Sequence, residues 1–363
     1  MNRDGVLVCG YYGFANVGDE AVLAGMAHAL REAGFHAPIR VLSASPIQTQ
    51  AEHSVEAVPR SSLPMMWRAL RCSRLFVLGG GSLLQDITSA RSIVYYLGVH
   101  WLARRAGCRV AWIGQGIGPL RRAWARWWTA RAARQAEAIV VRDPESASLL
   151  RAWQAAHVQE GADLSFLLSA PEKEKGWARL TELGATSDEA LLAIAPRRWA
   201  DMGEEETAVL FTDVAQYAQR HLGARPLLLA MHPARDGRLL ETIAARVPEV
   251  FAFGEPLSVR EVRNVLACCQ AVIGVRLHAL MLASASGVPA LAISYDPKVR
   301  SFWSQVMPEY VIDTAELDGQ TLKRRLTALW EHRENLQECV AQFAQQQQQK
   351  ARVNIDAVLA LGS

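Results

Sequence analysis

Residues 271–303, AVIGVRLHALMLASASGVPALAISYDPKVRSFW, leave the chain few folds to choose from. Ala271–Gly274 is a short apolar run that closes on glycine, as a buried strand does. From Ala279 to Ser286 small and apolar residues predict a helix able to pack close to a sheet, and Gly287–Pro289 stops it. Ala290–Ser294 is the next buried strand. Ligands of open α/β sheets sit in the crevice beyond the carboxyl ends of the strands. Arg276 and His278 follow the first strand directly, and Asp296, Lys298 and Arg300 follow the second. A single such residue is commonly solvated or a helix cap. A guanidinium, an imidazole and an ammonium together, flanked by small residues, point to a site for an anion, carboxylate or phosphate.

The same unit recurs along the chain. Gly5–Gly10 (GVLVCG) reads as a strand and Val22–Ala33 as a helix, joined by the loop YYGFANVGDEA, Tyr11 to Ala21. Backbone N–H groups near Gly18 can meet a ligand there, or Asp19 and Glu20 can simply face the helix dipole. The residues leave both readings open. No G-x-G-x-x-G is present, so a dinucleotide fingerprint is not supported. Ile39–Ser43 is a further strand, and Gln48–Ser62 reads as mostly connecting sequence. In Arg74–Asp86 (RLFVLGGGSLLQD) a strand runs into Gly79, Gly80 and Gly81. Consecutive glycines cost backbone entropy and suit a place where the backbone passes close to a ligand. Asp86 follows closely enough to share that crevice. Arg109–Pro119 and Ala138–Glu145 repeat the pattern, the latter ending on Arg142 and Asp143. Four or five such units make the first half a doubly wound parallel sheet.

The charged segment Pro171–Glu189 marks a boundary between domains 1–170 and 171–363, as a chain of 363 residues leads one to expect. A second α/β domain follows. Its strand Leu191–Ala195 ends on Arg197, Pro226–Met231 ends on His232, and Val250–Phe253 is a further candidate. From Thr321 a long amphipathic helix buries Leu322, Leu326, Leu329 and Trp330, and Ala351–Leu361 can pack back on the first domain.

A formal charge of +3 gives no support for a nucleic-acid partner. The six cysteines form no C-x-x-C pair and read as reduced, buried small hydrophobes of a cytosolic protein, with no metal site. The N-terminus lacks a signal-peptide core, and no apolar run is long enough to span a bilayer. In Leu120–Gln135, Trp124, Trp127 and Trp128 stand at helical spacing among arginines. Such a helix can lie in a membrane interface, or pack its tryptophans on the sheet and leave its arginines in water. The second reading is slightly favoured, and peripheral membrane contact stays open.

Four elements in this order resemble one family: YYGFANVGDEA, GGGSLLQD, VVRDPES and GVRLHAL…GVPALAISYDPKV. From about Gly5 to Trp303 the chain resembles the polysaccharide pyruvyl transferases of bacterial secondary cell-wall polymers, which serve S-layer anchoring. The resemblance implies two Rossmann-like doubly wound domains facing across a cleft, as in GT-B glycosyltransferases, with the acceptor on the N-terminal side and phosphoenolpyruvate on the C-terminal side. It implies phosphoenolpyruvate as co-substrate, no other cofactor, and a lipid-linked oligosaccharide acceptor that receives a 4,6-pyruvate ketal on N-acetylmannosamine. The family's Arg-Leu-His element falls on Arg276, Leu277 and His278, and its following lysine on Lys298. Its other donor arginines fall on Arg142 and Arg197, and its acidic position on Asp86. Asn16, Asp19, Gly80 and Gly81 complete the expected substrate-binding set. His278 is expected as general acid and Asp86 as base, with Arg276 stabilising the departing phosphate. Location is expected to be cytoplasmic, at or near the inner face of the cell membrane.

Two other readings share these residues. A GT-B glycosyltransferase would use the same arginines for the diphosphate of a nucleotide sugar. A non-catalytic glycan-binding protein would have no need of the basic residues with His278 and Asp86.

Overall fold

The computed structural model describes residues 3–87, 89–199 and 202–362. They form two compact units, residues 1–169 with 346–363 and residues 170–345.

The first unit alternates strand and helix: β1 (Val6–Tyr12), α1 (Val17–Glu32), β2 (Ile39–Ser43), α2 (Pro46–His53), β3 (Glu56–Pro59) and α3 (Leu63–Cys72). It continues with β4 (Leu75–Leu78), α4 (Ala90–Ala106), β5 (Arg109–Gln115), α5 (Ala123–Ala133), β6 (Ala138–Val141), α6 (Pro144–Ala152) and β7 (Val158–Glu160). The seven strands are parallel in the order β3-β2-β1-β4-β5-β6-β7. Central strands such as Leu75–Leu78 are buried on both faces, which is why they read as unbroken apolar runs.

The second unit holds α7 (Lys173–Thr181), β8 (Leu191–Ala195), α8 (Glu204–Tyr217), β9 (Arg225–Leu228), α9 (Pro233–Ala244) and β10 (Phe251–Ala252). After these come α10 (Val259–Leu266), β11 (Ala271–Gly274), α11 (Leu277–Ala285), β12 (Ala290–Ser294), α12 (Pro297–Trp303) and β13 (Val311–Asp313). Its six parallel strands run β10-β9-β8-β11-β12-β13. The last helix, α13 (Gly319–Gly362), gives its final turns to the first unit. There Asn354 Nδ2 donates to the Ala162 carbonyl at 3.0 Å, and Ala351, Ile355 and Val358 are buried.

Three local expectations change. Helix α1 begins at Val17 and not at Val22 because the Asn16 side chain caps it, and Asp19 and Glu20 take the first-turn place that was one of their two readings. Residues 48–62 hold most of α2 and all of β3, a short edge strand whose partly exposed residues carry little apolar signal. Of the cysteines, Cys339 is exposed and Cys72 half-buried, whereas the other four are buried.

In both sheets the strand order reverses direction once, between β1 and β4 and between β8 and β11. Adjacent loops diverge to opposite faces at such a point and leave a crevice at the carboxyl edge.

Candidate active site

In the second unit the reversal point gathers charge. Arg197 follows β8, Arg276 and His278 follow β11, and Lys298 follows β12. Arg276 is the N-cap residue of α11, and His278 lies in its first turn. Asp296 caps α12 by accepting the Lys298 N–H at 2.9 Å, which places Lys298 at that helix start. Helix N-termini carry partial positive charge, so α11 and α12 reinforce the cations beside them.

Asp236, buried in the first turn of α9, sets the guanidinium of Arg276: Nε donates to Oδ2 at 3.0 Å and Nη2 to Oδ1 at 2.6 Å. Oδ2 also accepts the backbone N–H of His232 at 2.8 Å. Arg197 lies over the Tyr295 ring, 4.4 Å from its centroid, and donates to the phenol oxygen. Burial pulls Arg197 below the ordinary guanidinium value, Arg276 and Arg235 add to the pull, and Tyr295 and Asp236 oppose it. Arg197, Arg235, Arg276 and Lys298 outnumber Asp236 and Asp296 and leave this edge electropositive.

His232 belongs to the same cluster, and strand-end position was its only signal in sequence. It is buried, and neither ring nitrogen has a hydrogen-bond partner among the described residues. Burial, then Arg235 and Arg276, push its pKa below the ordinary histidine value, so the ring is neutral near pH 7.

The first unit has a glycine-lined edge at its own reversal point. Gly81 has φ +102°, a conformation side chains rarely adopt, and a Cβ there would lie 3.1 Å from Asp19 Oδ1. Asn16 Nδ2 donates to the other Asp19 oxygen. At Gly79 a Cβ would fall 2.2 Å from the Tyr12 hydroxyl, which is buried with no partner among the described residues. Burial and then Asp19 raise the Tyr12 phenol well above its usual value, so it keeps its proton. At Gly80 a Cβ would fall 2.8 Å from Val22 Cγ1. Gly81 also pairs with β5, donating to Gly114 O at 3.2 Å and accepting from Gly116 N at 2.9 Å. The glycines therefore hold the loop flat against its neighbours beside Asp19.

Arg142 is largely buried and already engaged. Nη1 donates to Asp163 at 2.7 Å and Nη2 to Ser82 Oγ at 2.9 Å, so it braces the glycine loop. Asp86, the expected base, is bonded on both oxygens. Its buried carboxylate accepts the N–H of Arg121 on Oδ1 at 2.7 Å and that of Arg122 on Oδ2 at 2.8 Å. Burial alone would raise its pKa, but those two N–H groups and the Arg122 and Arg121 charges hold it below the usual carboxylate value. An acid held ionised, with both oxygens bonded, braces the turn into α5, a setting that argues against proton abstraction by Asp86.

Arg60, just past β3, carries no sequence signal and stands out only in the folded unit. Its guanidinium lies 4.3 Å from the Tyr95 ring centroid and 4.9 Å from that of Phe14, and the buried Nη1 has no partner among the described residues. Nearby, Glu20 accepts the Gly13 N–H at 2.7 Å, and its other oxygen lies 3.0 Å from His53 Nε2. Glu20, Glu52 and His53 are close enough together to hold a metal ion. As they stand, they fasten the loop after β1.

Solved structures of similar fold include UDP-GlcNAc 2-epimerase from Neisseria meningitidis bound to UDP-GlcNAc, with TM-score 0.63 and 10% identity over 98% of this chain and 99% of that one. They also include the UDP-GlcNAc 2-epimerase of Methanocaldococcus jannaschii, with TM-score 0.61 and 12% identity over 90% and 92%. The E. coli ADP-heptose LPS heptosyltransferase II has TM-score 0.53 and 14% identity over 92% and 100%. These likenesses establish the GT-B fold class and nothing finer. No curated protein matches the chain in sequence. The family profile described as polysaccharide pyruvyl transferase matches residues 16–297, a span that takes in the glycine loop, Arg197, Arg276 and His278 and stops one residue short of Lys298. The chain is therefore a member of the polysaccharide pyruvyl transferase family.

Proposed function

We propose that the chain transfers the enolpyruvyl group of phosphoenolpyruvate to a sugar diol, forming a cyclic pyruvate ketal and releasing phosphate. The observation that carries this reading is the convergence of Arg197, Arg276, His278 and Lys298 on three neighbouring strand ends, β8, β11 and β12, of one parallel sheet. Phosphoenolpyruvate has a carboxylate and a phosphate on adjacent atoms and needs several cations at close quarters.

In this scheme the donor binds the second unit. Arg276, aimed by Asp236, and Lys298 hold its anionic groups, and Arg197 assists. His278 gives a proton to C3 of the enol, which leaves a cation-like centre at C2. One acceptor hydroxyl adds its oxygen to C2 and loses its proton. The C2–O bond to phosphate then breaks, with the cations stabilising the departing phosphate. The second hydroxyl closes the ring by bonding its oxygen to C2 and passes its proton to His278, which restores the acid. The glycine-lined edge of the first unit suits a sugar, and Asp19, beside Gly81, replaces Asp86 as the acceptor's base. Arg60 and Arg142 serve the first unit as an anion contact and a loop brace. No cofactor enters beyond phosphoenolpyruvate as co-substrate, and a donor made in the cytoplasm puts the reaction there. For the acceptor we favour N-acetylmannosamine of a lipid-linked cell-wall polymer precursor, ketalated at positions 4 and 6.

The test is phosphate release from phosphoenolpyruvate by the purified protein, with and without a synthetic lipid-linked GlcNAc–ManNAc acceptor. Acceptor-dependent release with a matching mass gain on the sugar is expected. Absence of release, with saturable binding of a nucleotide sugar instead, would replace this reading by glycosyl transfer, an activity borne on the same fold.

A further inference from the structure

Between residues 61 and 135 the chain has twelve arginines, no lysine and a single acid, Asp86. That acid is buried, whereas every one of the twelve arginines is exposed. The same segment carries eight of the ten large hydrophobic residues exposed among the described residues, Trp67, Trp101, Trp124 and Trp127 included. Such surfaces are uncommon on a soluble protein without an interaction role.

Seven of these arginines, Arg126 and Arg131 included, and seven of these hydrophobic residues lie on α3, α4 and α5, which the fold puts on one side of the first unit. Met66 and Leu70 of α3, Ile93 and Leu97 of α4, and Ala125 and Ala132 of α5 join Phe76, Leu78, Val110 and Trp112 in one core cluster. The three helices therefore cover the same sheet face, α3 beside α4 and α4 beside α5. Their other sides look away from the sheet. Helix α5 divides its tryptophans accordingly: Trp128 packs against the core, whereas Trp127 is 64% and Trp124 42% exposed. Trp101 of α4 is 51% exposed and has the Arg105 guanidinium 4.8 Å from its ring centroid. Leu63 and Met65 extend the apolar surface along α3, and Val94 along α4.

We propose that the outer face of α3, α4 and α5 is a docking surface for an anionic lipid bilayer. Arginines pair with lipid phosphates, and tryptophans settle at headgroup depth, where their amphipathic rings are favoured. Exposed Leu63, Met65 and Val94 distinguish this occupant from a nucleic acid, whose phosphates would use the arginines and leave aliphatic side chains without a partner. Among the described residues no helix is long and apolar enough to cross a membrane, so contact is interfacial. The inference stands on this surface alone and does not depend on the donor or acceptor proposed above.

The test is co-sedimentation of the full chain with vesicles of phosphatidylcholine alone or mixed with phosphatidylglycerol, at low and high salt. Binding only to the phosphatidylglycerol vesicles is expected, with a blue shift of tryptophan emission. The variants W101S/W124S/W127S and R126Q/R131Q change exposed side chains, so each should keep the parent circular dichroism and Tm. Each should lose at least about tenfold in vesicle affinity, and only binding by the tryptophan variant should remain weak as salt is lowered. Failure of the parent protein to bind, or binding that the tryptophan variant retains in full, would overturn the proposal. So would tight binding to duplex DNA that both variants lose in parallel with the vesicles, or parent dimers that the tryptophan variant converts to monomers.

Discussion

Arg276 and Asp236 meet edge to edge, through bonds of 3.0 Å and 2.6 Å, although forty positions separate them in the chain. Asp236 comes from the first turn of α9 and Arg276 from the start of α11, on opposite sides of β8 in the strand order. The carboxylate fixes the plane of the guanidinium and, through the His232 N–H, the start of its own helix.

Removing the carboxylate strands a partly buried charge. Asp236→Ala should cost about 3 kcal/mol, seen as a lower urea midpoint with an unchanged slope. It should also raise the KM for phosphoenolpyruvate. Adding Arg276→Met to that variant should recover part of the lost stability, since no unpaired charge then remains. An unmoved midpoint in the single variant would show that the pair contributes nothing.

Asp86 separates two roles by experiment. As a brace for the N–H groups of Arg121 and Arg122, Asp86→Asn should lose about 1–3 kcal/mol of stability and change kcat only modestly. A general base would show the reverse, a fall in kcat on the order of a hundredfold or more with stability intact. The depressed pKa of Asp86 also has a sign. Its stabilisation is complete above the unfolded value of 3.8 and is lost as pH falls through the lower folded value, so parent and variant stabilities should converge in strong acid.

His278→Ala should abolish phosphate release while leaving phosphoenolpyruvate affinity, measured by calorimetry, within a few-fold of the parent. Loss of donor binding along with turnover would make His278 chiefly a ligand of the phosphate or carboxylate and not the acid.

His100 predicts a second pH effect, remote from the site. Its Nδ1 accepts the Trp112 indole N–H at 3.2 Å inside the core, and burial, helped by Arg104, lowers its pKa from 6.5 to about 4. Between those values the unfolded chain binds a proton that the folded one refuses, so stability rises with pH across that window and falls as pH drops below 6.5. The full effect is about 3 kcal/mol. His100→Gln keeps an acceptor for Trp112 but cannot titrate, so its urea midpoint should fall less between pH 7 and pH 4 than the parent's does.

Much of the fold was legible in the sequence because both sheets are parallel and buried. Each central strand is then an apolar run, and it ends where a loop must carry glycine or charge. The cations of the second unit were legible for the same reason: Arg197, Arg276, His278 and Lys298 all sit within a few residues of a strand end. Edge strand β3 was missed because its half-exposed residues lack that signal. The bonding of Asp86 was not legible because its partners, Arg121 and Arg122, lie thirty-five and thirty-six positions away. Its proximity to Gly81 in sequence said nothing of where its oxygens point.

By itself, the sequence determined the alternation of strand and helix, the glycine loop and the strand-end cations, since each rests on local period and on residues adjacent in the chain. Only the tertiary structure decided how each of these groups is held. Strand order set the reversal points, and burial left nitrogens of His232 and Arg60 without a partner among the described residues. Hydrogen bonds across long sequence separations turned Asp86 and Arg142 into braces. Burial and hydrogen bonding control charge and proton affinity, and both are properties of neighbours that the chain assembles only when it folds.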